Sequence, residues 1–249
     1  MPEPVLIAVA HGSADPQAAA TVADLMATVS ARARARGLSV PDLRTAYLGH
    51  AAPSLAQVMQ TVEGRVTVLP LLLTAAYHSK ADIPRVLARC GPHRVSYGAT
   101  LGPHPLLLRA LERRLAEAPG ADTGHTDPGR TGVVLAAAGS SDPEANATIA
   151  RLAAKWQAKA GWFAVSPAYA SAAAPSPAAA VTGLLQAGAS RVLVATYLLA
   201  PGFFADRVRA SSLAAGAAAV AAPLGAATEL ADVLLDRYQE AGSLQRTAA

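Results

Sequence analysis

Two histidines of the 249-residue chain stand where apolar stretches stop, His11 after "VLIAVA" and His78 after "VTVLPLLLTAAY". An imidazole titrates at an ordinary pKa of about 6.5, and its neutral form is a good ligand for divalent transition metals. Two of them over one crevice could bind an ion, accept protons, or do both in turn. No cysteine stands in either turn and a tight third ligand is missing, so a closed structural zinc site is not expected. An open, weakly held ion suits a protein that hands its metal on. A square-planar ring of four nitrogens, such as a tetrapyrrole, would take that ion once its two pyrrole protons leave.

The elements that must position this pair are legible as a repeated unit. Val5 to Ala10 is a short continuous apolar run, as expected of a strand buried on both faces of a parallel sheet. Asp15 then reads as a helix N-cap with Pro16 at the first helical position, and Gly37 as the stop. The second half repeats the grammar with "VVLAAAGSSDP", Asp142 and Pro143, and a stop near Gly161. "TAYLGHAAPSLAQVM" aligns with "PAYASAAAPSPAAAV", so that Tyr47 falls on Tyr169 and Pro53 on Pro175, each 122 residues apart. The expected fold class is α/β, with two tandem, duplicated doubly wound parallel-sheet lobes of strand order 2-1-3-4. Residues 1–118 and 132–249 are the expected lobes, and 119–131, rich in Gly, Pro and Asp, is the expected linker. In such a lobe strands 1 and 3 are neighbours and ligands bind beyond their carboxyl ends, which puts His11 and His78 over one crevice.

Three stretches carry a resemblance: "HGS" directly after the first strand, "YLGHAAPSL" in the second unit, and "PLLLTAAYHSKADIP" in the third. They resemble the class II chelatases that insert a metal into sirohydrochlorin, of the CbiX and SirB type. The resemblance spans most of residues 4–90, and through the second copy nearly the whole chain. It implies a chelatase-type α/β fold, metal-binding and catalytic roles for His11 and His78, and an acidic tetrapyrrole as partner. It further implies a divalent ion (Fe²⁺ or Co²⁺) as substrate, with no organic cofactor and no ATP. The sequence agrees on the last point, having no GxxxxGK[ST] loop. One departure stands out. Where family members often carry a glutamate after the second strand, this chain has Gly49 and then His50, so a carboxylate helper is missing or His50 replaces it as base or third ligand. Iron, for siroheme, is favoured because the chain is short and ends in "GSLQRTAA", without a Cys- or His-rich tail. Cobalt insertion for cobalamin and a non-catalytic metal or tetrapyrrole carrier are the alternatives.

The second copy has Ala138 where His11 stands and Phe204 where His78 stands. It is expected to keep the scaffold without the donors, with Phe203 and Phe204 offering an apolar wall to the macrocycle. In the first copy, Lys80 and the Ser13 turn at the start of helix 1 are candidates for substrate carboxylates, against ordinary readings as a solvated charge and a cap. Arg44 and Arg85 are weaker versions of the same idea, and Tyr77 is a candidate pocket wall. His93, His104 and His125 are read as structural or solvent-facing.

Composition narrows the class further. The chain is 52% hydrophobic and 15% charged with a net charge of +4, a globular α/β profile without the basic run or basic aromatic face that nucleic acid requires. Cys90 is alone, which excludes an intramolecular disulfide or a cysteine cluster and suits a reducing compartment. The N-terminal apolar run is too short for a signal peptide, and the alanine-rich stretch at 212–227 is broken by Gly216, Pro223 and Gly225. A cytoplasmic protein without membrane contact is expected. No G-x-G-x-x-G follows strand 1, which disfavours a dinucleotide site.

Overall fold

A computed structural model describes residues 5–39, 42–90, 94–121 and 127–247. β1 (Val5–Ala10) is buried along its whole length, the reason it reads as an unbroken apolar run. β2 (Asp42–Tyr47), β3 (Arg65–Pro70) and β4 (Arg94–Tyr97) join it in the order β2-β1-β3-β4, all parallel. Ala10 lies opposite Tyr47 and Val9 opposite Pro70, so β2, β1 and β3 finish side by side. The Leu71 N–H donates to the Val9 carbonyl at 2.7 Å, extending the ladder just past β3.

α1 (Pro16–Ala35) starts as the sequence predicts, with the Asp15 carboxylate accepting the Gln17 N–H at 2.8 Å. It buries Ala18, Val22, Leu25, Val29 and Ala33, the three-and-four spacing of one helical face. α2 (Leu55–Met59) opens on a capping box between Ser54 and Gln57, and α3 (Ile83–Leu87) follows a wider turn described below. Ile7, Val9, Leu55, Met59, Val68 and Ile83 meet in the core, where burying each side chain contributes about 1.5–3 kcal/mol.

The second copy repeats the plan. β5 (Thr131–Ala137), β6 (Ala164–Tyr169), β7 (Arg191–Tyr197) and β8 (Ala219–Val220) form a parallel sheet in the order β6-β5-β7-β8. α5 (Pro143–Ala160) is capped by Asp142 and stops at Gly161 in the left-handed region, φ 68°. α6 (Pro177–Gln186) is capped by Ser176, and α7 (Phe203–Ala214) begins at the residue matching Tyr77. Both sheets have the expected order.

The last helix of each copy does not stay with the sheet it follows. α4 (Pro105–Glu117) comes after β4 and α8 (Thr228–Thr247) after β8. One compact unit comprises the chain up to Leu106 together with everything from Ala226 onward; the other is Leu107–Gly225. These compact units differ from the contiguous lobes expected at 1–118 and 132–249 by the exchange of the two last helices. Leu230, Val233, Leu234 and Leu235 bury α8 in the first unit. Arg32 on α1 donates to both oxygens of Asp232 on α8 at 2.8 Å, and Arg36 reaches Asp232 and Asp236. Such partly exposed pairs add little stability. In the other unit the Trp156 indole donates to Glu112 of α4 at 3.0 Å, and Arg114 to the Leu224 carbonyl. Of the expected linker 119–131, residues 122–126 lie outside the described residues, as do His93 and His125. No helix among the described residues is long and apolar enough to cross a membrane.

Candidate active site

The β1 turn is fixed by its backbone. Leu48 and Gly49 donate N–H bonds to the Ala10 and His11 carbonyls, both at 3.1 Å, so the loop after β2 runs against the His11 turn. Gly12 has φ +90°, and a Cβ built on it would land on the Gly49 carbonyl oxygen; only glycine fits there. The Ser13 hydroxyl accepts the Asp15 N–H at 3.1 Å, which makes it part of the α1 cap. With β1 fully buried and His11 exposed, the chain carries its first imidazole from the core to the surface in one residue.

The second imidazole begins a π-helical turn, His78–Asp82, in which the Ile83 N–H donates to the His78 carbonyl. Pro84 explains the widening, because its ring would crowd the Lys80 carbonyl in a regular α-turn and it has no N–H to give. The buried Ser79 hydroxyl is bonded to both the carbonyl and the N–H of Ala76, at 3.0 and 3.1 Å. The Tyr97 hydroxyl donates to the Ser79 carbonyl at 2.7 Å. Desolvation pushes the pKa of Tyr97 up to about 12, so it remains a donor well above neutral pH.

Held this way, the two imidazoles meet. Their Nε2 atoms are 3.2 Å apart, with ring centroids at 4.6 Å and planes at 82°. Two nitrogens about 2.0–2.1 Å from one metal, subtending about 90–110°, lie about 2.8–3.4 Å apart. The other nitrogens face acceptors: His11 Nδ1 lies 3.2 Å from the Gly12 carbonyl, and His78 Nδ1 lies 2.7 Å from an oxygen of Asp82. Carbonyl and carboxylate oxygens accept, so these partners favour an N–H on each Nδ1, which leaves each Nε2 with a lone pair. Two lone pairs at that distance repel unless a cation, a metal ion or a proton, lies between them. Among the described residues no group of three or more His, Cys, Asp or Glu side chains is arranged to hold an ion. The pair thus leaves most of a metal's coordination sphere open.

The remaining candidates fall into three groups. Lys80 is exposed on the π-turn, and Tyr77, 56% exposed, has its ring 6.0 Å from that of His78. His50 is exposed one residue beyond the Gly49 contact to His11, with φ 58°, and no described contact joins its ring to the pair. In the other unit Phe203 and Phe204 open α7, 73% and 39% exposed, with ring centroids 5.6 Å apart. Both candidate arginines have partners within the chain. Arg44 turns to Asp42 at 2.7 Å and to Thr61, while Arg85 donates to Asp82 at 3.2 Å and to the Tyr77 hydroxyl at 3.3 Å. The bond to Tyr77 first, with Asp82 adding to it, raises the Arg85 pKa. Asp82 was not singled out from the sequence; its signal was the position four residues after His78 in "HSKAD".

The CbiX family model matches residues 5–118 and 132–241, nearly the whole chain. A sirohydrochlorin cobaltochelatase of Priestia megaterium is 28% identical over 174 residues, covering 67% of this chain and 56% of that protein. A sirohydrochlorin ferrochelatase of the same organism is 29% identical over 182 residues, covering 70% and 66%. The chain therefore spans less than two thirds of either curated relative. Among solved structures, SirB from Bacillus subtilis with Fe³⁺ matches at a TM-score of 0.79 and 23% identity, covering 98% of both chains. The sirohydrochlorin chelatase SirB from Bacillus subtilis subspecies spizizenii, in complex with cobalt, matches at 0.74 and 20%, covering 96% and 95%. At such identities these two likenesses establish the fold.

Proposed function

The chain belongs to the CbiX family, and from that premise we propose that it is a sirohydrochlorin chelatase, inserting a divalent ion into the reduced tetrapyrrole. One observation carries the reading: the Nε2 atoms of His11 and His78 converge to 3.2 Å at the surface, beyond the carboxyl ends of β1 and β3. The reaction exchanges one M²⁺ for the two pyrrole protons of the ring. His11 and His78 can serve both sides of it, delivering the ion and then accepting protons on the nitrogens it vacates. No ATP or organic cofactor is part of this proposal, because metal–nitrogen bond formation supplies the driving force.

Lys80 is proposed to receive a substrate carboxylate, with the Ser13 turn at the head of α1 as a second anchor. Tyr77 is proposed as an apolar contact for the flat ring, Phe203 and Phe204 as an exposed aromatic pair open to an apolar group in their own unit, and His50 as a base acting on substrate rather than as a metal ligand. Fe²⁺ is the ion proposed first, for siroheme; the curated relatives divide between iron and cobalt, and Co²⁺ is the alternative. A cytoplasmic setting, in which Cys90 stays reduced, belongs to the same proposal. Purified protein at substoichiometric concentration should change the absorbance of sirohydrochlorin with Fe²⁺ or Co²⁺ over many turnovers. A change that stops at one equivalent identifies a carrier instead.

A further inference from the structure

The carboxylate beneath His78 is held from two sides. Asp82 Oδ2 takes the His78 Nδ1–H at 2.7 Å, and its other oxygen takes an N–H of Arg85 at 3.2 Å. Arg85 in turn rests on the Tyr77 hydroxyl. Asp82 and Arg85 are side by side because the π-turn ends at Asp82 and α3 begins, placing them three residues apart across the junction. A histidine ligates through one nitrogen, and the hydrogen bond made by the other sets which nitrogen that is. We propose that Asp82 is a positioning residue that keeps His78 in the Nδ1–H tautomer with Nε2 turned toward His11, and that Arg85 sets the orientation of the group at position 82. This rests on the metal-handling reading of the pair, and assigns Arg85 to the protein rather than to substrate.

The two donors give the proposal an unusual consequence. In Asp82→Asn one oxygen becomes an NH₂ group, and Arg85, which can only donate, retains the amide oxygen. The NH₂ group is then left facing His78, where it donates to Nδ1. That selects the Nε2–H tautomer and replaces the ligating lone pair with a proton. Removing Arg85 as well, in D82N/R85A, frees the amide to turn its oxygen toward His78 and restores the working tautomer in part. A purely structural role for Asp82 predicts no such rescue, since a second deletion in the same network only loosens it further.

The test uses the full chain labelled with ¹⁵N-histidine, at a pH above the ordinary histidine pKa of about 6.5. Long-range ¹H–¹⁵N spectra report the tautomer of His78, assigned against His78→Ala, and Co²⁺ titration without tetrapyrrole reports the site. Wild-type protein should show Nδ1–H at His78. D82N should show Nε2–H and lose about 10- to 100-fold in Co²⁺ affinity at an unchanged melting temperature. D82N/R85A should recover part of both, and Asp82→Ala, which offers neither donor nor acceptor, should give mixed tautomers. A D82N protein with wild-type tautomer and affinity overturns the role of Asp82, and a double variant no better than D82N overturns that of Arg85. Absence of sirohydrochlorin metallation in wild-type protein would count against the chelatase reading alone, because the tautomer is read without substrate.

Discussion

The turn after β1 and the turn after β5 are the same backbone device, and only one of them carries chemistry. Gly12 and Gly139 share φ values of +90° and +85°, and a Cβ on either would strike a carbonyl oxygen, of Gly49 or Ser171. Asp15 and Asp142 cap the following helices in the same way, as Ser54 and Ser176 do for α2 and α6. His50 and Ala172 hold φ values of 58° and 57°. That last pair is instructive, because a left-handed backbone at a non-glycine residue invites a functional reading. Since Ala172 pays the same cost with no side chain to aim, the conformation belongs to the turn and says nothing for or against His50. Around these turns the differences that bear on chemistry are side chains and one helix entrance. His11 becomes Ala138, His78 becomes Phe204, and the π-turn becomes the regular start of α7. Where the first unit has Ala19, Asn146 stitches the turn with two bonds to the Ser140 backbone, at 2.7 and 3.0 Å.

The largest effect that could break this contrast is loss of chelation. His11→Ala or His78→Ala should lower the metallation rate at least about 100-fold with circular dichroism unchanged. Ala138→Gly and Phe204→Ala should both leave most of it in place. Equal losses on the two sides would end the division of labour. Next comes transplantation. The pair A138H/F204H should bind Co²⁺ in the second unit about 10- to 100-fold more weakly than the native pair, measured in a His11→Ala, His78→Ala background. The position four residues after Phe204 is Val208, fully buried in the core, so no carboxylate can stand behind the new imidazole. Native-like affinity there would show that the π-turn and Asp82 are dispensable.

The strand order of both sheets, the Asp15 and Asp142 caps and the convergence of His11 with His78 were all legible, because they follow from local rules. A buried parallel strand, an Asp-Pro helix start and a switch point between strands 1 and 3 each leave a mark within a few residues. The exchange of α4 and α8 leaves none. The duplication tells which element follows which, but α8 docks through contacts some 200 positions away, its buried Leu230, Val233, Leu234 and Leu235 together with the pairs of Arg32 and Arg36 with Asp232 and Asp236. The bonds of the half-exposed Arg85 to Asp82 and to the Tyr77 hydroxyl leave no mark in the sequence either. A side chain's direction on a short helix depends on whether the preceding turn is α or π, and that was decided by Pro84, two residues beyond Asp82. Ser13 likewise completes a cap that the Asp15–Pro16 pair had already announced.

Glycine substitution gives a finer comparison. Gly12→Ala and Gly139→Ala force the same clash and the same left-handed φ, and each should cost about 1–3 kcal/mol in urea denaturation. Only the first should also weaken Co²⁺ binding, since it displaces His11; parallel losses of binding would mean that the second turn also supports the site.

The smallest effect concerns the two exchanged helices. α4 starts on an imidazole, with His104 Nδ1 accepting the Leu106 N–H at 3.2 Å, whereas α8 starts at Thr228 with Ala227 before it. Desolvation first, then the nearby Arg237, lowers the His104 pKa, against a smaller opposing pull from Asp236 and Glu240. A base whose folded pKa is depressed favours folding while neutral. Its contribution is therefore complete above the unfolded value of about 6.5 and is lost as pH falls through the lower folded value. Protonation also removes the acceptor that Leu106 uses, so both effects have the same sign. Thermal melting followed from above neutral pH into the acid range should show a decline that His104→Asn reduces, because the amide oxygen can still accept the Leu106 N–H and does not titrate. An unchanged acid decline in that variant would place the sensitivity elsewhere and would leave the start of α4 as insensitive to protons as that of α8.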